Sequence, residues 1–380
     1  MIRLPVGRVE ITVGKPIEWD IFNEQGKLML RRGMEIVSEA QLDRLTSYGM
    51  FRDPSGKVEG GGVAKEEPVI LDLLSPFDRI QGVIQKLNAL LEKILTEAIT
   101  PSDERERRFL TLVDELAELC DYDIDATIGA VHLEKAHAYN VVHPLSTAIL
   151  CFMVVRATEL PDSARRSLMG AALTQNLGMH ALQKVLIEQR AALTPEQHKE
   201  VRNHPLLSAV LLKRIGVKDR LWIDIVLQHH ERADGEGYSR NLALESICNE
   251  ARILAIADRY HALVSPRSYR TGLSPTDALR KLFMDRGKEV DQNISLMLIK
   301  EIGIMPPGAF VKLKNGETAV VTRRGIDPMK PKVKGLVNAK GQPFTHPVGR
   351  DTNAPGHEIV GMCPPVDTKF SLLALWDYVH

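Results

Sequence analysis

From Leu71 to about Gly303 the apolar residues of this chain recur at three- and four-residue steps, and this long helical periodicity limits the fold more than any other feature. Arg79 to Glu97 shows it plainly: Ile80, Val83, Ile84, Leu87, Leu90, Leu91 and Ile94 fall on one stripe. A second amphipathic run covers Glu104 to Cys120. Leu145 to Val155 is apolar nearly all round, so Pro144 is expected to open a helix that lies centrally. Thr194-Pro195-Glu196 supplies a cap, a proline at the first helical position and an acid in the first turn. Ser246 to Val264 reads as a further long helix.

The flanks obey other rules. Residues 1–53 read as a small α+β unit, with two strands in Ile17 to Leu30 around an Asn23-to-Gly26 turn and a short helix capped by Ser38. Residues 54–70 are polar and Gly-rich, too poor in apolar side chains to build a core, and read as a linker. The helical domain is expected over 71–305 and a small β-rich module over 306–380. There the period drops to two, and Val311 to Val321 forms a hairpin with Asn315-Gly316 at its turn. No internal repeat is visible.

Composition narrows the function. Lys+Arg and Asp+Glu both number 49 in 380 residues, giving zero formal charge, which speaks against a duplex-DNA binder or a general membrane-surface protein. The strongly apolar run Ala148 to Val155 is far short of the ~20 residues a bilayer span needs. The first ten residues lack the apolar core of a signal peptide, so a cytoplasmic location is expected. Cys120, Cys151, Cys248 and Cys363 form no CxxC pair and read as reduced, mostly buried thiols.

Seven positions carry candidate chemistry: His143, the pair Gln175-Asn176, His204, the pair His229-His230, and Asp258. Asp258 shares a helical stripe with Ala251, Leu254, Ala255 and Ala262. A carboxylate there needs a metal, a cation or several hydrogen bonds to stay charged. Taken alone, a structural cap or an Arg pair explains it as well.

The surrounding residues are more specific. His229-His-Glu-Arg-Ala-Asp-Gly-Glu-Gly-Tyr238-Ser239 resembles the HD-GYP signature, HHE followed by DGxGYP, with Ser239 at the final proline. Ala251 to Leu263, the Arg267-Ser-Tyr-Arg270 block, His204-Pro205 and Lys213 resemble that family at its own spacing. The resemblance covers residues 130–300 and implies a mainly α, HD-type helical domain of bacterial cyclic di-GMP signalling. Active members hydrolyse the dinucleotide through two or three metal ions.

This chain departs from the pattern where the metals are held. The family's HDxGK is here Gln175-Asn176-Leu177-Gly178-Met179, and a third-metal Glu is replaced by Tyr139. Neutral Asn is a weak partner for a dication, Gln is a poor substitute for imidazole, and Met179 cannot assist a leaving group as lysine would. By resemblance His204, His229 and His230 can still hold one divalent transition ion (Fe, Mn or Zn). His143 and Asp258 are too few for a second ion. Relic packing with no ion is the alternative. The resemblance also implies nucleotide contacts from Arg267, Arg270 and Tyr238, with termination of a helix as the alternative role for the arginines. The expected function is nucleotide binding or protein interaction, with cyclic di-GMP or GGDEF-domain cyclases as partners and little or no hydrolysis. A slow phosphodiesterase with one metal is the rival.

Overall fold

The structure is a computed structural model. It describes residues 4–12, 15–24, 26, 28–30, 32–33, 42, 45–46, 49–52, 75–96, 102–133, 137–268, 270–367 and 370–377. Two compact units divide the chain, Met1–Val83 and Ile84–His380.

The first unit contains a four-stranded sheet in the order β1-β4-β2-β3, from β1 (Leu4–Pro5), β2 (Ile21–Phe22), β3 (Leu28–Leu30) and β4 (Phe51–Arg52). The strands β2 and β3 form the expected antiparallel pair, with Ile21 opposite Leu30. The turn between them closes from Gly26 N–H to the Asn23 carbonyl at 2.9 Å, with Gly26 at φ 85°. Ile11, Ile17, Ile21, Met29, Leu30, Leu42 and Leu45 make its core. Most of the helix expected from Ser38, and all of the linker at 54–70, lie outside the described residues.

Helices make up most of the second unit, the first of them beginning at Pro76 in the first unit. They are α1 (Pro76–Thr96), α2 (Asp103–Tyr122), α3 (Ile124–Leu133), α4 (Tyr139–Arg156), α5 (Asp162–Thr174), α6 (His180–Glu188), α7 (Pro195–Ile215), α8 (Arg220–Gln228), α9 (Asn249–Val264), α10 (Pro275–Asp285) and α11 (Gln292–Ile302). At the centre, α4 packs against α2, α3, α5, α6, α9 and α11. Its length and composition would suit a membrane span, but all of it except Tyr139 and Arg156 is buried among these helices.

Two helix starts differ from expectation. Pro144 does not open α4, which begins five residues earlier at Tyr139 and carries the proline inside it. Burial on every side offsets the backbone bond that the ring removes. The added turn places Tyr139, Asn140 and His143 on the same helix. Similarly, α9 begins at Asn249, because residues 244–246 form a separate 3₁₀ turn before it. Thr194 caps α7 as expected, accepting from Gln197 N–H at 3.2 Å, while Gln197 returns a bond to Thr194 N–H at 3.0 Å.

The C-terminal segment is a five-stranded antiparallel sheet in the order β8-β7-β6-β5-β9, from β5 (Phe310–Leu313), β6 (Thr318–Arg323), β7 (Lys332–Val337), β8 (Pro343–Arg350) and β9 (Ile359–Met362), followed by α12 (Leu372–Leu375). The β5–β6 hairpin turns at Asn315-Gly316, with Gly316 at φ 87°. Arg323 grips the buried carboxylate of Asp123 through both guanidinium nitrogens, and Arg324 bonds Asp125 at 2.5 Å. The sheet is thereby fixed to the α2–α3 corner.

Candidate metal and nucleotide site

A proline shapes the first of the histidines. Pro205 lies inside α7 and has no N–H to give the Val201 carbonyl four residues back. That carbonyl instead accepts from His204 Nδ1–H at 2.6 Å. His229, at the C-cap of α8, donates Nδ1–H to the Val226 carbonyl at 2.7 Å, one of the acceptors that every helix end leaves unpaired. A carbonyl can only accept, so both rings carry their proton on Nδ1. Their Nε2 lone pairs then face each other at 3.1 Å.

His230 completes a group in which one ligand atom from each ring lies within 4.8 Å of the others. Among the described residues this is the single cluster of His, Cys, Asp or Glu with that geometry. Burial pushes the His204 imidazole down to about 3 and drives His229 and His230 down as well. Protonation therefore does not relieve the opposed lone pairs near neutral pH. A divalent ion would, and three neutral imidazoles, two of them with Nδ1 protons committed to backbone, form a donor set that fits one.

The other half of the site closes on itself. His143 Nε2–H donates to Asp258 at 2.8 Å, and His143 Nδ1 lies 3.0 Å from the Tyr139 hydroxyl and 2.8 Å from His261 Nδ1. Burial works to raise the Asp258 pKa, but the hydrogen bond and charge of His143, then His230 and His229, hold it well below the usual carboxylate range. The Tyr139 ring stacks on His143 at 4.9 Å. Arg267 lies 4.0 Å over the opposite system, the Tyr139 ring itself, and donates to its hydroxyl at 2.5 Å. Arg270 is spent differently: its guanidinium bonds the Ala262 carbonyl in the last turn of α9 at 2.5 Å.

The departures from the signature are equally visible. Gln175 is wholly buried, and neither its Oε1 nor its Nε2 finds a hydrogen-bond partner. Asn176 is buried beside it, and Met179 is half-buried. Gly178 survives for a steric reason: a Cβ there would sit 2.7 Å from the His204 carbonyl oxygen, Leu207 Cβ and Ser208 N. Ser208 Oγ locks this turn to α7 by donating to the Gln175 carbonyl at 2.7 Å while accepting from Gly178 N–H at 2.9 Å.

The HHE-DGxGY segment folds as a compact loop. Buried Glu231 accepts from the N–H groups of Arg240 (2.7 Å) and Leu242 (3.0 Å), and Arg232 pairs with Asp234 at 2.5 Å. Gly237 lies so close to the loop's own backbone that a Cβ would approach Arg232 N and Glu231 Cα to 2.5 Å. These bonds hold Tyr238 stacked on His230, 4.7 Å between centroids.

A profile of the HD domain matches residues 89–294. The chain belongs to the HD domain family. This HD domain chain is 32% identical over 232 residues to a cyclic di-GMP phosphodiesterase of Pseudomonas aeruginosa, covering 61% of this chain and 56% of that protein. It is 29% identical over 223 residues to the cyclic di-GMP phosphodiesterase response regulator RpfG of Xanthomonas campestris, covering 58% and 54%. Against the cyclic di-GMP phosphodiesterase PdeB of Borreliella burgdorferi the identity is 24% over 193 residues, covering 51% and 50%. The chain spans about half the length of these curated relatives. A solved HDG"Y"P protein from Bdellovibrio bacteriovorus matches with a TM-score of 0.48 and 16% identity, covering 79% of this chain and 98% of that one.

Three residues of this HD domain site escaped sequence reasoning. His261 joins the His143 network, and Ser265 supports it from the next turn of α9. Its spacing of three from Asp258 was a usable signal. Arg202 lies 5.1 Å over the Tyr238 ring, and only the two-residue offset from His204 hinted at it. Tyr139 was noted as a lost ligand, but its role as a lid on His143 depends on an aromatic stack that no spacing reveals.

Proposed function

We propose that this protein is a cyclic di-GMP-responsive HD-GYP-type module that holds at most one divalent transition ion and hydrolyses the dinucleotide poorly or not at all. The observation behind this reading is the 3.1 Å approach of the His204 and His229 Nε2 atoms, with both Nδ1 protons committed to backbone. His204, His229 and His230 would hold the ion, which when bound would supply Lewis acidity toward a phosphate oxygen. Nothing anionic stands at Gln175 or Asn176 to recruit a second ion, and Asp258 is already engaged by His143. Tyr238 offers a hydroxyl, and Arg267 a guanidinium at the His143 end. The segments 1–53 and 306–380 are then appended modules, suited to contacts with protein partners such as GGDEF-domain cyclases.

Elemental analysis paired with calorimetric titration of cyclic di-GMP tests the proposal. The expected result is at most one ion per chain, lost in His229→Ala, with nucleotide binding but no steady turnover. Two ions per chain, or turnover abolished by His229→Ala, would overturn it in favour of a phosphodiesterase. A second reading, a scaffold that binds no nucleotide, draws on one specific feature: Arg267 and Arg270 spend N–H donors on Tyr139 and the Ala262 carbonyl. Absence of cyclic di-GMP affinity in the parent protein would select it.

A further inference from the structure

The histidine triad is not evenly enclosed. His204 and His229 are each about 1% exposed, whereas His230 is only half-buried, so the triad meets solvent on the His230 side. That side is covered by a stack of side chains: the Tyr238 ring lies on His230, 4.7 Å between centroids and 27° off parallel, and the Arg202 guanidinium lies 5.1 Å from the Tyr238 centroid. Arg202 projects from the exposed part of α7, two residues before His204, and makes no ion pair among the described residues.

This contrasts with the other arginines around the site. Arg232 is paired with Asp234 and Glu236, Arg259 with Asp285 and Glu289, Arg267 is bonded to Tyr139, and Arg270 to a helix-end carbonyl. A guanidinium resting on an aromatic face keeps its in-plane N–H edge available, and that edge matches two oxygens of a phosphate. Tyr238 therefore seats a cation that has no ion-pair partner among the described residues beside the solvent-facing side of the triad. The carboxylate of Asp258 is engaged by His143.

We propose that Arg202, seated on Tyr238 above the histidine triad, is the phosphate-recognition residue of this site and takes a phosphodiester group of cyclic di-GMP. The inference rests on the nucleotide-binding reading above but assigns the phosphate contact to a residue outside the signature motifs.

The test titrates the metal-loaded full-length parent, Arg202→Gln and Arg214→Gln with two probes, cyclic di-GMP and inorganic phosphate, by calorimetry. Arg214 is an exposed cation on the same helix and controls for general loss of charge. Loss of one charge-assisted bidentate contact should weaken both probes about ten- to a hundredfold in Arg202→Gln, with metal content and melting temperature unchanged and Arg214→Gln near the parent. Arg202→Lys should recover only part of the affinity, because an ammonium cannot pair two oxygens from one plane. If the parent binds cyclic di-GMP and Arg202→Gln binds it equally well, the Arg202 assignment falls while the nucleotide-binding reading stands. If phosphate binding depends on Arg202 but cyclic di-GMP does not bind, the anion site stands and the choice of nucleotide falls. If the parent binds neither probe, both are overturned.

Discussion

His132 lets the joint between the helices and the C-terminal sheet be tested by pH. Its Nδ1–H donates to the Pro307 carbonyl at 2.7 Å, and its Nε2 accepts from the Tyr260 hydroxyl at 2.8 Å. The neutral ring satisfies both partners, and burial, partly offset by the Pro307 bond, lowers its pKa from 6.5 to about 4. In the unfolded chain the ring titrates near 6.5, so between these values only the unfolded state takes up the proton. Its contribution to stability is therefore complete above about pH 6.5 and is lost as the pH falls toward 4. At about 1.4 kcal/mol per unit over that interval, the loss approaches ~3 kcal/mol. The lowered pKa values of His204 and His230 act in the same direction, so the His132 share must be isolated by difference. His132→Asn keeps a donor for Pro307 but orphans the Tyr260 hydroxyl, which should cost about 1–3 kcal/mol at pH 7.5. Urea unfolding of both proteins at pH 7.5, 6.5, 5.5 and 4.5 should give stability curves that converge as the pH falls, the parent losing more. Parallel curves would refute the reasoning.

Two further outcomes follow from the site. Gly178→Ala should destabilise the protein by about 1–3 kcal/mol, since the new Cβ drives the 175–178 turn off α7, and a melting temperature equal to the parent's would contradict the close approach. The triple change Gln175→His, Asn176→Asp, Met179→Lys should raise bound metal from at most one ion to two per chain. It should also make stability depend on metal, because the new carboxylate would be buried without a partner in the apo protein. A variant that folds with unchanged metal content and no chelator effect on melting would show that the pocket has drifted beyond these three positions.

What was legible in the sequence was what periodicity and spacing encode. The helical stripes of α1 and α2, the Thr194 cap and the Asn315-Gly316 hairpin each depend on residues a few positions apart, and each stands where expected. The start of α4 was not legible because proline is ambiguous: its fixed φ suits a first turn, but full burial can also carry it inside a helix. The same ambiguity hid a functional consequence. The carbonyl that Pro205 releases is the one that sets the His204 tautomer, a link between a backbone defect and an imidazole that is read only from coordinates.

The candidate site divides along the same line. His204, His229 and His230 could be named from their motifs, and the structure brings their nitrogens together. The roles of Arg267, Arg270 and Arg202 could not, because an arginine's function is decided by what else is within reach of its guanidinium. Arg270 finds a helix-end carbonyl, Arg267 finds the ring and hydroxyl of Tyr139, and among the described residues Arg202 finds a ring face. Tyr139 therefore does more than leave its position without a charge. It gives Arg267 an aromatic face and a hydroxyl at the His143 end, while Arg202 rests on Tyr238 beside the triad. On the reading proposed above, the balance between nucleotide binding and hydrolysis would rest on how these cations are placed as much as on the missing carboxylate at Asn176.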